Sequence, residues 1–154
     1  MKHLVSAAFL MVALITPTFA SGSSGAVCKP AQGTDASKAD YPIGFTGLGI
    51  KNTSSDYVLP IVCPINESLD PKYVLNTTVV WTAPNNNPSA QIVCALKGLS
   101  QSNGGVVQSQ FGSLKGSGAL RLPQSGITSM FVSLDCQLPP GGTLNTIWVN
   151  DIGT

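Results

Sequence analysis

Tyr73-Val74-Leu75-Asn76-Thr77-Thr78-Val79-Val80-Trp81 is a nine-residue stretch in which two sets of side chains alternate. Leu75, Thr77, Val79 and Trp81 fall on one face, and Val74, Asn76, Thr78 and Val80 on the other. A period of two is the period of a strand, and β-branched and aromatic residues suit a pleated, half-buried surface. Trp81 shares its phase with Leu75 and Val79 and is read as a core residue.

The same reading extends in both directions. Upstream, Tyr57 to Ile65 is an almost continuous apolar run interrupted by Pro60 and Pro64, which argues for an edge strand because proline cannot donate to a ladder. Before it, Ile43 and Phe45 share one phase, Leu48 and Ile50 the other, and the slip falls at Gly47, where a bulge would absorb it. Downstream, Ala83 to Ser89 places three asparagines between two prolines and reads as a loop. Ala90 to Leu96 is a strand, Ser102-Asn103-Gly104-Gly105 closes a hairpin, and Val106 to Phe111 returns. Gly112 to Gly118 reads as a Gly/Ser linker, Leu120 to Leu122 as a short strand, and Thr128 to Cys136 as a strongly patterned one. Pro139-Pro140-Gly141-Gly142 is a break, and Thr143 to Val149 is a final strand. About eight short strands separated by turn signals, with no sustained helical period, predict an all-β fold: a single antiparallel β-sandwich over residues 41–154, with a closed barrel as the alternative.

The first 20 residues read differently. Lys2 and His3 precede an apolar run from Leu4 to Ile15, and Thr18-Phe19-Ala20 offers small residues at the −3 and −1 positions of a cleavage site. The run is shorter than the ~20 residues a membrane span needs, so residues 1–20 are expected to be a signal peptide and the product to be secreted or periplasmic, with no membrane insertion after cleavage. Residues 21–40, beginning Ser-Gly-Ser-Ser-Gly, are expected to be flexible or irregular. Removing 20 of 154 residues leaves 134, with seven Lys and Arg against seven Asp and Glu. A neutral chain offers no basic field for nucleic acid. The sole histidine, His3, leaves with the signal, and with it every His-based triad and every His-ligated metal site.

Cys28, Cys63, Cys94 and Cys136 all remain. Export makes disulfides the expected state, and the wide intervals do not offer the close ligand pairs of a zinc site. Three pairings are open by spacing. Strand phase helps: Cys94 lies with Ile92 and Leu96, and Cys136 with Val132 and Leu134, so both thiols face the core. That favours Cys94–Cys136 and leaves Cys28–Cys63.

Catalytic motifs are sparse. G-x-S-x-G and S-x-x-K do not occur. Carboxylate pairs are formally present in Glu67 with Asp70 and in Asp35 with Asp40, but loop carboxylates at such short spacing are usually solvated turn formers. Gly44, Gly47 and Gly49 have no following helix to make a phosphate loop. No D-x-D run suggests calcium, and no cofactor is indicated. Trp81, Trp148, Tyr41, Tyr57 and Tyr73 are the best contact candidates, Trp148 ahead of Trp81. Trp148 opposes the Ile147/Val149 phase, and the phase leaves open which of the two sides faces the core. Asn52-Thr53-Ser54, Asn66-Glu67-Ser68 and Asn76-Thr77-Thr78 fit the N-glycosylation acceptor pattern.

Several short motifs occur in a fixed order: Cys28-Lys29-Pro30-Ala31, Tyr41, Gly49-Ile50-Lys51-Asn52-Thr53-Ser54, Cys63-Pro64-Ile65, Val93-Cys94-Ala95-Leu96, and Leu134-Asp135-Cys136-Gln137-Leu138-Pro139-Pro140. In this order the chain resembles a group of small secreted bacterial proteins of unknown function, with a signal peptide and a C…CP…C…C layout. The resemblance implies bacterial export and a β-sandwich, and brings no activity or site residue with it. The expected function is a secreted, non-enzymatic binding or surface module for an extracellular ligand or protein. The alternatives are a carboxylate-dependent extracellular hydrolase and a protein inhibitor presenting the Pro-rich loop at residues 84–88.

Overall fold

The computed structural model describes residues 20–24, 27–44, 47–65, 74–100, 102–123 and 131–152. The signal-peptide reading of residues 1–20 therefore lies almost wholly outside them. The described chain is a β-sandwich. Its long strands are β7 (Leu59–Ile65), β8 (Val74–Thr82), β9 (Gln91–Leu99), β10 (Val106–Lys115), β11 (Gly118–Pro123), β12 (Phe131–Leu138) and β13 (Thr143–Ile152). Shorter strands precede them: β1 (Ala20–Ser24), β2 (Lys29–Pro30), β3 (Ala39–Asp40), β4 (Ile43–Gly44), β5 (Gly47–Leu48) and β6 (Ile50–Asn52). One sheet runs β11-β8-β13-β6-β3, with β1 also pairing β13, and the other runs β10-β9-β12-β7-β2. Every pairing is antiparallel.

The alternation seen in sequence becomes the division between core and surface. Thr77, Val79 and Trp81 of β8 are buried, while Thr78 and Val80 between them are only half so. Facing them from the second sheet are Ile61, Ile92, Leu96 and Leu134, all essentially inaccessible. Each such side chain contributes about 1.5–3 kcal/mol on leaving water.

Both disulfides form, Cys28–Cys63 and Cys94–Cys136, with S–S distances of 2.06 and 2.10 Å. They join neighbouring strands of one sheet, not the two sheets to each other. Cys94 and Cys136 stand directly opposite in the β9–β12 ladder, and Cys28 precedes Lys29, which is paired with Val62 beside Cys63.

Four details depart from the sequence reading. The segment 21–40 is not wholly irregular: β1 lines the last strand from Ala20↔Asn150 to Ser24↔Thr146, β2 adds to β7, and β3 adds to β6. Such short strands have too few residues to show a period, and only their partners define them. The phase slip at Gly47 is a chain reversal and not a bulge, because Ile43 pairs with Leu48 and Gly44 with Gly47. The strand β7 is next to the edge, with the two-residue β2 outside it. Its prolines still obey the edge rule: the Pro60 carbonyl accepts from the Ala31 N–H at 2.9 Å, so Pro60, and Pro64 four residues on, turn their missing donor away from β12.

Last, Gly112–Lys115 is strand and not linker, paired through Lys115↔Gln91. The glycine lets β10 cross close to β11: a Cβ on Gly112 would lie 2.6 Å from Leu122 Cδ2 and would require that side chain to shift. The reversal is confined to Gly116 and Ser117. Gly116 takes φ +68°, its N–H bonds the Ala90 carbonyl, and Ser117 Oγ accepts from the Ala83 N–H.

A candidate ligand-binding face on the five-stranded sheet

The inward residues of β9, β12 and β7 fill the core, so their alternates form the outer face of the five-stranded sheet. Register places Phe111, Ala95, Asp135, Val62 and Lys29 in one lateral row, one residue from each strand. The row on one side is Ser113, Val93, Gln137 and Pro60, and on the other Ser109, Lys97, Ser133 and Pro64.

Phe111 is 72% exposed, the most exposed large apolar side chain among the described residues. Beside it Ala95, at 7% exposed, is the floor of a shallow depression of ≈180 Å³ lined also by Val93, Lys97, Asp135, Gln137 and Pro60. A small side chain at that floor is what leaves the ring standing proud. The polar groups are held in place: Lys97 Nζ donates to Asp135 Oδ2 in an ion pair, and Ser133 Oγ donates to Asp135 Oδ1 at 3.2 Å. Both charged side chains keep more than a quarter of their surface exposed, so they can exchange part of this pairing for a ligand's hydroxyls. An apolar ring, a flat floor and convergent donors and acceptors are the ingredients of a binding surface.

The residues singled out in sequence are scattered over the molecule. Trp148 is 38% exposed on the outer face of the other sheet, between Thr78 of β8 and Gly22 of β1, so it does not join Phe111. Trp81 is core. Tyr41 is exposed, with its hydroxyl 3.5 Å from the Cys28 carbonyl, and Tyr57 packs half-buried against the core. Tyr73, Glu67 and Asp70 lie outside the described residues. Asp35 and Asp40 act on their own turns: Asp35 Oδ1 accepts from the Ser37 amide and hydroxyl, and Asp40 Oδ1 from the Tyr41 amide. The Ser37 hydroxyl, then the Ser37 amide, hold the Asp35 carboxyl below the usual carboxylate range, with Lys38 adding to the effect against a small desolvation. A general acid needs the opposite shift. Among the described residues no three His, Cys, Asp or Glu side chains come together as metal ligands would.

Asn52 of the first acceptor motif is fully buried, and all its side-chain functions are engaged, so the folded protein cannot present it for glycosylation. The Pro-rich loop carries a short turn at Pro84–Asn86 with Asn85 and Asn86 at φ 49° and 53°. It forms one wall of a polar cleft of ≈450 Å³ at the sandwich end, opposite Lys51 and Ser54. Among the described residues no aromatic side chain lines that cleft.

Phe111 is not among the sequence candidates, which are all Trp and Tyr. A signal was present: in Ser109-Gln110-Phe111-Gly112-Ser113 the phase of Phe111 holds only serines. A lone aromatic on a polar phase has no core to join.

No protein-family model matches the sequence, and no curated protein matches it. Among solved structures the chain is similar to CBM86, described as a low-affinity xylan-binding module from the gut symbiont Roseburia intestinalis, with TM-score 0.53 and 16% identity over 86% of this chain and 96% of that one. It is also similar to CtCBM11, a module solved in solution, with TM-score 0.51 and 12% identity over 92% and 93% of the two chains. At such identities the likeness is one of fold: two antiparallel sheets packed face to face over nearly the whole length of each chain.

Proposed function

We propose that this chain is a secreted, non-catalytic module that binds an extracellular polysaccharide on the outer face of its five-stranded sheet. The observation that carries the reading is Phe111, a 72% exposed phenyl ring at a shallow, partly polar depression. A pyranose has an apolar C–H face and a rim of hydroxyls. Its face can pack on the ring, while Asp135, Lys97 and Gln137 exchange hydrogen bonds with the rim. The depression, at ≈180 Å³, is smaller than the ~300–1,000 Å³ of sites that enclose a small ligand. It suits a long chain touched along one side, and modest affinity. The neighbours in fold include a xylan-binding module, which supports a plant-type β-linked glycan as the first class to try.

The test is affinity electrophoresis through gels containing soluble xylan or mixed-linked β-glucan. Retardation of the native protein is expected. Phe111→Ala removes a ring whose desolvation contributes about 1.5–3 kcal/mol, so affinity should fall roughly 10- to 100-fold. Trp148→Ala, on the opposite sheet, should leave retardation unchanged. Loss on Trp148→Ala with Phe111→Ala unaffected would move the site to the other face.

A further inference from the structure

The charges of the described chain are not evenly spread. Lys29, Lys97 and Lys115 all project from the outer face of the five-stranded sheet, and Asp135 is the one acid there among the described residues. The other charged residues described are Lys38, Lys51 and Arg121 against Asp35, Asp40, Asp56 and Asp151, with no positive excess. The positive excess of the described residues is therefore on the sheet face that carries Phe111. The charge of Lys97 is neutralised by Asp135, which leaves Lys29 and Lys115 as the cations of this face with no carboxylate partner among the described residues.

Their placement carries further information. Lys29 is four strands from Phe111 in the same row, roughly 19 Å at about 4.8 Å per interstrand step. Lys115 is four residues from Phe111 along β10, about 13 Å. Each distance exceeds the ~8–10 Å over which salt of physiological strength screens exposed charges, so the cations act as separate points and not as one field. No small anion reaches the ring and Lys29 together, but an extended chain crossing the strands does. Lysine is a point charge without the planar fork that favours phosphate. Widely separated single cations match a sparsely charged polymer.

Building on the polysaccharide reading, we infer that the preferred ligand is an acidic polysaccharide bearing spaced carboxylates, a uronate-containing chain laid across the strands from Phe111 toward Lys29. The ring takes a sugar face and Lys29 takes a carboxylate on that line, while Lys115, about 13 Å off it along β10, takes a carboxylate where the chain turns along the edge strand.

The experiment compares glucuronoxylan and a largely methyl-esterified polygalacturonate, both sparsely charged, with their carboxyl-reduced counterparts by affinity electrophoresis and calorimetry, at 20 mM and 500 mM NaCl. At low salt the acidic form of at least one polymer should bind at least about fivefold tighter than its reduced form, and the difference should vanish at high salt. The double variant Lys29→Gln/Lys115→Gln should lose that preference while binding the reduced polymer as the native protein does. Equal binding of acidic and reduced polymers at 20 mM NaCl overturns the charge inference and leaves glycan binding standing. Binding of neither form overturns both. Tighter binding of dextran sulfate or single-stranded DNA than of either uronate polymer also overturns it, because a non-selective polyanion surface would then explain the salt dependence.

Discussion

Reducing both disulfides is expected to unfold the protein near room temperature. The Cys28–Cys63 and Cys94–Cys136 bridges span 35 and 42 residues, and chain entropy assigns each closed loop about 4 kcal/mol. Two such terms approach the whole ~5–15 kcal/mol by which a domain is stable. All four cysteines are also buried core residues, so replacing a bridge by alanines adds a packing loss. Each bridge fixes a register. Cys94–Cys136 locks the central β9–β12 pair, while Cys28–Cys63 holds β2, which has only two paired residues of its own. The native chain should weigh four protons less than the reduced one, and non-reducing peptide maps should link Cys94 to Cys136. Urea unfolding measured before and after reduction checks the energy. A midpoint unchanged by reduction contradicts this account, as does a peptide joining Cys63 to Cys94.

Asn52→Ala should cost about 3 kcal/mol or more, for an unrelated reason. Asn52 lies at the end of β6, fully buried, and ties four segments together. Its Nδ2 donates to the Tyr57 carbonyl at 2.8 Å and to the Leu138 carbonyl at 3.0 Å, and its Oδ1 accepts from the Ser54 N–H at 2.9 Å. Its backbone N–H donates to the Gly142 carbonyl at 2.9 Å, and its carbonyl accepts from the Gly141 N–H at 3.0 Å. The side chain thus joins the six-stranded sheet to the last residue of β12 in the other sheet. Alanine takes this partner from the buried Leu138 carbonyl, the buried Ser54 N–H and the part-buried Tyr57 carbonyl, at about 1–3 kcal/mol for each group that water cannot reach. Asn52→Asp keeps the volume but turns two donated bonds into a carboxylate facing two carbonyls, and should cost at least as much. Chemical denaturation of the two variants measures both. A loss under 1 kcal/mol in each would show that water replaces the amide.

The sequence carried the fold because its long strands bury one face, and burial imprints a period of two. The alternation of Thr77, Val79 and Trp81 survives intact in β8, and the phases of Cys94 and Cys136 point to the pair that forms. What escaped has few residues or distant partners. Lys29–Pro30 and Ala39–Asp40 are strands only because β7 and β6 run beside them. Gly112 looks like linker until β11 is seen crossing beneath it. The candidate face is harder still to read, since it joins residues of five strands in a row that depends on four registers. In sequence Trp148 only opposes the Ile147/Val149 phase, which does not say which side of β13 faces the core, nor that Phe111 lines a depression on the other sheet.

The central claim is that a glycan chain lies on the Phe111 face. Its most direct measurement is a map of backbone amide shifts in the labelled protein during titration with soluble xylo- and gluco-oligosaccharides and their uronate-bearing forms. The account predicts that the shifted amides cluster on Val93, Ala95, Lys97, Phe111, Asp135 and Gln137, and that the buried bridges and the Lys51 cleft stay still. Shifts centred on Trp148 or on the Lys51 cleft, or none with any sugar, would contradict it.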